Sequence, residues 1–179
     1  MKTLRLIAPA VVLFVLGTAS VADAQVTDTE RFRVTVPSQL TITAPQALVS
    51  ITHDETDADQ PFPPQPWNVT ANALLGATVS FSTDQAFTHT LDPTFKRDAR
   101  LDLSVASSDA PAAWTVLIGS DQTDYDNLVL PDEVATVTAA SIRPGDASFN
   151  LGVTFLTVDH STLAEGDYEM TVTGTLTAN

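Results

Sequence analysis

The residues with the clearest chemical potential are oxygen ligands gathered in two acidic segments. The first segment holds Asp121, Asp124, Asp126 and Asn127, and the second holds Asp54, Asp57 and Asp59. Hard cations such as calcium prefer several oxygens on a flexible backbone. Neither segment has EF-hand spacing, because Thr123 and Tyr125 occupy ligand places in the first, so the spacing favours plain solvated loops over a calcium site. The first segment is the better candidate for a structural calcium site and the second the weaker one; if calcium binds, a chelator would lower the melting temperature.

Side chains typical of catalysis are present, but they do not form a recognisable motif. The histidines His53, His89 and His160 are scattered, and neither a metalloprotease motif nor a nucleophile elbow occurs. Paired carboxylates can hydrolyse glycosides, but so acidic a chain contains many such pairs by chance. We therefore expect a protein that is not an enzyme and that needs no cofactor beyond structural calcium.

Aromatic residues are candidates for ligand binding or for packing. Trp67 and Trp114 share the phase of the apolar residues in their strands, which favours burial in the core over stacking on sugar rings. Phe62 and Tyr125 lie in predicted loops. They are therefore the candidate residues for binding a ligand such as an extracellular glycan.

The start of the chain predicts export from the cytoplasm. Lys2 and Arg5 precede an uncharged apolar run, residues 6–16, and small residues lead to Ala24. This order is typical of a secretory signal peptide, and the run is shorter than the roughly 20 residues of a membrane helix. We expect cleavage after residue 24 and a single domain over residues 25–179. The protein would be secreted, extracellular or at the cell surface, with the periplasm as the alternative.

Charge and cysteine content exclude several classes of partner. Residues 25–179 contain 6 basic and 21 acidic side chains, which gives a net charge of −15. Nucleic acid is excluded as a partner because its binding depends on Lys and Arg. An anionic membrane surface would repel the chain, and no further apolar stretch is long enough to span a membrane. The chain has no cysteine, so its core must be stable without disulfides.

Apolar and polar residues alternate along most of the chain, which predicts strands with one buried face. Examples are Val79 and Phe81, and the run from Phe149 to Phe155. Residues 53–66, 84–100 and 121–133 break this pattern and are predicted loops. The spacing indicates roughly nine to ten short strands in a two-sheet antiparallel sandwich, immunoglobulin-like or jelly-roll. No amphipathic helix lies between the strands, which disfavours a parallel α/β fold.

The C-terminal segment Leu163–Tyr168 is followed by a Thr-rich final strand with the sequence EMTVTGTLTAN. A Leu turn, a Gly and a Tyr that opens a strand resemble the tyrosine corner of immunoglobulin-like sandwiches, in which the Tyr168 hydroxyl would bond back to the turn. The ending also resembles short exported bacterial proteins of the fimbrial, spore-coat-U-like and surface-matrix types. The chain departs from many fimbrial subunits because it lacks their cysteine pair.

This resemblance implies self-assembly in which a strand of one molecule completes a sheet of another. Phe32, Val34 and Val36 alternate with polar residues and are the candidate donor strand. The alternative is that residues 31–36 form the first strand of their own sandwich. We therefore expect a secreted structural subunit of a fibre, pilus-like polymer or matrix, whose main partner is itself. A carbohydrate- or ligand-binding sandwich is the second hypothesis.

Overall fold

The computed structural model describes residues 26–179, so the predicted signal peptide lies outside the described part. The strands are β1 Leu40–Thr43, β2 Gln60–Pro61, β3 Gln65–Ala71, β4 Ala77–Thr83, β5 Phe87–His89, β6 Lys96–Arg97, β7 Ala99–Ser108, β8 Thr115–Ile118, β9 Ser120–Gln122, β10 Thr136–Ala140, β11 Gly145–Phe155, β12 Tyr168–Glu169 and β13 Val172–Ala178. A 3-10 turn spans His160–Thr162. All named pairings between strands are antiparallel, which confirms the predicted all-β sandwich. Residues 26–179 contain no helix long and apolar enough to cross a bilayer.

The strands form two larger sheets and one small sheet. The first sheet runs β1-β3-β11-β7-β9, and β2 also pairs with β11. The second sheet runs β13-β4-β10-β8. Strands β2 and β3 bond to successive parts of the long strand β11 and are separated at Pro63 and Pro64, because proline cannot donate to the ladder.

The two larger sheets bury one shared core, as the alternation predicts. In β4, Ala77, Val79 and Phe81 are fully buried, while the residues between them are half-buried. The Phe81 ring meets Phe149 of β11 edge-on, with ring centroids 6.3 Å apart. Trp114 meets Phe149 in the same manner at 5.4 Å, so this tryptophan belongs to the core.

A third sheet, ordered β12-β5-β6, lies over a second apolar cluster that the sequence analysis did not predict. Phe87, Ala99 and Phe155 are buried there. The C-terminal run, predicted as a single Thr-rich final strand, divides around Thr171. The Thr171 backbone N–H donates to the Asp84 carboxylate at 2.8 Å, and its C=O accepts from the Asp84 N–H at 2.9 Å. The run therefore contributes β12 to the third sheet and β13 to the second.

Residues 31–36 lie outside any strand in the structure, so they do not form the first strand of the sandwich. The first strand, β1, begins only at Leu40, after Pro37. The Asn72 side chain donates to the Pro37 C=O at 2.8 Å and accepts the Gln39 N–H at 2.6 Å, which anchors the chain just before β1. Alternation shows which face a strand would bury, but a strand also needs a hydrogen-bonded neighbour.

Candidate functional site

Three carboxylates converge beside the loop that follows β9. Asp98, Asp124 and Asp126 each offer an oxygen, and these oxygens lie within 4.8 Å of one another. Asp98 lies between β6 and β7, far from the loop in sequence, so spacing did not predict it. An oxygen set of this kind can hold a hard cation such as calcium. The calcium site stays a prediction, and its best-placed ligands now include Asp98.

Asp98 is the half-buried member of this acidic cluster. One of its oxygens accepts the Thr123 hydroxyl at 2.7 Å and the Tyr125 N–H at 3.0 Å. Burial raises the pKa of the Asp98 carboxyl, and the negative charges of Asp126 and Asp124 raise it further, while the two hydrogen bonds oppose this rise. The cluster therefore has an electrostatic cost when all three groups are ionised.

The other predicted ligands of the first acidic segment have different roles. Asp121 accepts the Thr136 N–H at 2.7 Å and so ties β9 to the start of β10, outside the acidic cluster. Asn127 donates to Asp124 at 2.8 Å and borders the cluster. Asp121 therefore lies outside the acidic cluster, with one carboxylate oxygen engaged by the backbone of another strand, and its role as a calcium ligand stays a prediction.

The same loop carries an exposed apolar tip. Leu128, Val129 and Leu130 are 100%, 92% and 77% exposed. The base of the loop is closed by two backbone hydrogen bonds between Asp124 and Asp132, at 2.6 and 3.0 Å. The tip is thus held out from the sandwich on a closed base.

The second acidic segment does not gather its carboxylates. Asp54 accepts the Thr56 hydroxyl at 2.7 Å, Asp57 accepts the His160 N–H at 2.9 Å, and Asp59 lies 3.8 Å from Arg100. Each carboxylate stabilises a different contact, so the structure does not bring these three predicted ligands together. Side-chain hydrogen bonding to Thr56 lowers the pKa of Asp54.

Two of the three histidines, His53 and His89, form hydrogen bonds through their rings. The Thr157 hydroxyl donates to the Ala58 C=O at 2.8 Å, so the His53 Nε2–H donates to that hydroxyl at 2.9 Å. His53 also stacks on His160 with ring centroids 5.3 Å apart. Buried His89 accepts two backbone N–H groups at Nδ1, so its Nε2–H donates to the Glu165 C=O at 2.9 Å. These contacts hold loops in place.

The predicted binding aromatics are largely engaged in packing. Phe62 is half-buried and stacks on Phe87 with centroids 5.8 Å apart, and its role in ligand binding stays a prediction. Tyr125 is half-buried. Trp67 packs edge-on against Phe81 at 5.1 Å, as expected of a core tryptophan. A shallow polar depression on the first sheet is lined by Asn68, Val69, Thr70, Ser107, Ser108, Asp109, Asp146, Ala147 and Ser148, with no aromatic ring for a sugar to stack on.

Residues 31–36, which we call the arm, present their apolar side chains to solvent. Phe32, Val34 and Val36 are 85%, 89% and 76% exposed. Within residues 26–179, the alternating segment predicted as a donor strand is therefore exposed and pairs with no strand.

One side of the sandwich has two free strand edges. Strands β1 and β13 are the outer strands of the two larger sheets, and no strand among residues 26–179 pairs with their second edges. They meet at Gly174, where an added Cβ would lie 2.7 Å from the Ile42 Cδ1 atom. Leu40, Ile42, Val172 and Leu176 are only half-buried on this side, which we call the open side.

The free backbone groups of the open side can be read from the register. The Asp84 N–H donates to the Thr171 C=O, and the Asn179 N–H donates to the Gly76 C=O, at the two ends of the β4–β13 ladder. Because antiparallel partners bond at every second residue, the threonines of β13 bond to β4. The N–H and C=O groups of Val172, Gly174 and Leu176 therefore point to the free edge. The same argument, from the Asn72–Gln39 bond, leaves those of Leu40 and Ile42 free in β1.

The opposite side of the sandwich is crossed by the chain itself. Strand β8 pairs with β10 in the second sheet, and after Gly119 the chain continues as β9, which pairs with β7 in the first sheet. The Leu103 N–H donates to the Gly119 C=O at 2.8 Å, which holds the crossing in place. The open side is thus the better place for an added strand.

The C-terminal turn has the hydrogen bond of a tyrosine corner. The Tyr168 hydroxyl accepts the Ala164 N–H at 3.0 Å. The Tyr168 ring also packs edge-on against Phe155 at 5.6 Å and against His89 at 5.1 Å. Tyr168 therefore fixes the turn that leads into β12 and β13.

Comparison with family models, with curated proteins and with solved structures finds no match to this chain.

Proposed function

We propose that this protein is a secreted structural subunit of the cell surface or extracellular matrix, which self-associates by donating its arm to a second copy. The observation that carries the proposal is the combination of strand-like alternation and exposure in residues 31–36. The signal-like N-terminus supports export, and the occupied histidines support a role other than catalysis.

Burial of the arm's apolar side chains by another surface would lower the free energy of the protein. Full burial of a valine or phenylalanine side chain contributes about 1.5 to 3 kcal/mol. Phe32, Val34 and Val36 make nearly none of this contribution in the single chain, because they are exposed. A neighbouring sheet edge would bury these side chains and would also pair the backbone of the arm.

The first prediction compares two aspartate substitutions in the arm. Val34→Asp places a charge on the apolar face of the arm, whereas Thr35→Asp places the same charge on its polar face. We expect Val34→Asp to weaken self-association on the order of 100-fold, because a charge would be buried at the contact. Thr35→Asp should retain most of the association. Light scattering coupled to size exclusion, over a concentration series of residues 25–179, measures both.

Two results would contradict the proposal. The first is that residues 25–179 remain monomeric at every concentration and calcium level, and the second is that deletion of residues 31–36 leaves the oligomer unchanged. Melting curves of both aspartate variants should match that of the parent, because neither side chain contributes to the core of the single chain.

A further inference from the structure

We infer that the arm is accepted by the free edge of β13 in a second copy of this chain. This inference rests on the proposed function and names the surface that completes it. The arm would become an added strand of the second sheet, beside β13, and each copy would donate one arm and accept another.

Strand β13 has the length and the backbone groups that the arm requires. It has seven residues, against four in β1, and the arm has six. The free N–H and C=O groups of Val172, Gly174 and Leu176 recur at every second residue along this edge. In the single chain these backbone groups can bond to solvent, and an added strand would pair them with a second backbone instead.

The side chains of the two segments have matching phases. Residues opposite each other on paired strands point to the same face of the sheet. With Val34 opposite Gly174, the apolar residues of the arm face inwards, over the half-buried Val172 and Leu176. The exposed Thr173, Thr175 and Thr177 then lie beside the polar residues of the arm.

Charge also favours this pairing. The arm contains two arginines and no acid, whereas residues 37–179 contain four basic and nineteen acidic side chains, a net charge of −15. Arg31 and Arg33 would lie beside threonines rather than beside other cations. The arm of one copy is thus attracted to the sandwich of the next, although the sandwiches repel each other.

This contact joins different surfaces of the two copies. An arm that meets a β13 edge leaves one free arm and one free edge at the ends of any chain of copies. Such a heterologous contact builds an open filament unless the copies close on themselves, and the smallest closed form is a dimer whose two copies exchange arms reciprocally. The open form is a polymer whose length grows with concentration, whereas a closed form has a fixed size.

Disulfide trapping tests the acceptor directly, because the parent chain has no cysteine. One variant carries Thr35→Cys in the arm, and its partners carry Thr173→Cys, Thr175→Cys or Thr177→Cys in β13. Matched controls carry Thr41→Cys in β1 or Thr115→Cys in β8, which are also exposed edge threonines. Each partner also carries Val34→Asp, so its own arm is disabled. Single-cysteine proteins are mixed under mild oxidation, and mass spectrometry identifies the linked peptides.

We expect the arm cysteine to link to β13 at least 10-fold more than to β1 or β8. Linkage to Thr173→Cys indicates an antiparallel arm and linkage to Thr175→Cys a parallel one, and either result supports the inference. Preferred linkage to β1 or β8 would overturn it, as would arm-dependent association without any link to β13. In these cases the Val34→Asp effect would survive, so the proposed function would stand without this acceptor. Melting curves show that each cysteine variant is folded.

Discussion

Asp98 shows how one side chain can cost stability while it organises a loop. Its carboxylate holds Thr123 and the Tyr125 N–H, yet it is partly buried beside two other acids. The folded pKa is raised above the ordinary 3.8, so the folded protein binds this proton more tightly than the unfolded chain. The stabilisation that the protonated Asp98 carboxyl gives to the folded state is full below pH about 3.8, and it is lost as the pH rises through the folded pKa.

The second prediction follows from the raised pKa of Asp98 in the folded state. Asp98→Asn keeps an oxygen that can accept both hydrogen bonds and removes the charge. At pH 7 we expect the free energy of unfolding to increase by about 0.2 to 1 kcal/mol, the usual range for a partly exposed charge interaction. Near pH 3 the gain should disappear, because Asp98 is then largely protonated in both states. Denaturant unfolding at the two pH values measures the difference.

Asp121→Asn is the matched control for Asp98→Asn. Asp121 belongs to the same loop region, but its carboxylate bonds to the Thr136 N–H, outside the acidic cluster. It should give no gain at pH 7. An equal gain from both variants would indicate general relief of net negative charge, and would contradict the specific repulsion assigned to Asp98.

The acidic cluster illustrates what sequence spacing can predict about a site. Asp124 and Asp126 were identified because they follow each other closely in one loop. Asp98 could not be found in this way, because its approach depends on the pairing of β7 with β9. The packing of Phe62 could not be predicted for a related reason: this loop residue is half-buried because a separate strand, β5, brings Phe87 against it.

At the scale of elements, the turn at Gly166 packs closely against His89 of β5. Gly166 has a φ of +140°, and a Cβ added there would lie 2.2 Å from the His89 Nε2 atom. His89 in turn donates to the Glu165 C=O, so the turn and the histidine hold each other. The turn before β12 thus has room only for glycine.

The third prediction is that Gly166→Ala lowers the free energy of unfolding by about 2 to 4 kcal/mol, through backbone strain and overpacking. Thermal and denaturant unfolding measure this loss. Gly152→Ala in β11 is the control, because its nearest contact would be an ordinary 3.5 Å from the Asp102 Cβ atom. A loss of similar size at both glycines would show that close packing on His89 is not the cause.

Strand prediction succeeded where alternation and pairing agree. Strand β4 alternates and has partners on both edges, so Val79 and Phe81 are buried as expected. The arm alternates equally well but lies outside any strand, because alternation carries no information about the neighbour. The division of the C-terminal run at Thr171 depends on Asp84, a distant residue whose role spacing alone does not reveal.

At the scale of the whole molecule, the fold class was predictable and the number of sheets was not. A sandwich follows from many short alternating strands without helices. The third sheet exists because Phe87, Ala99 and Phe155 form a separate apolar cluster at one end, and these residues come from three distant segments. Long-range contacts of this kind leave no periodic signal in the sequence.

The fourth prediction concerns the apolar tip of the loop between β9 and β10. A protease that cleaves before large aliphatic residues should cut at residues 128–130, because Leu128, Val129 and Leu130 are exposed side by side in this loop. Brief digestion should give two main fragments on a denaturing gel, with some trimming of the exposed arm. A variant with Gly-Ser-Gly in place of residues 128–130 should resist the internal cut. Persistent cleavage elsewhere in the sandwich would contradict this prediction.

The cut chain should nevertheless stay together. Strands β10, β11 and β12, with β13, follow the tip, and each of the three sheets contains strands from both sides of it. Neither fragment can therefore complete a sheet alone, and the two should elute as one particle. The tip is thus a natural split point, at which the gene could be divided into two halves whose products restore the fold only when they are expressed together.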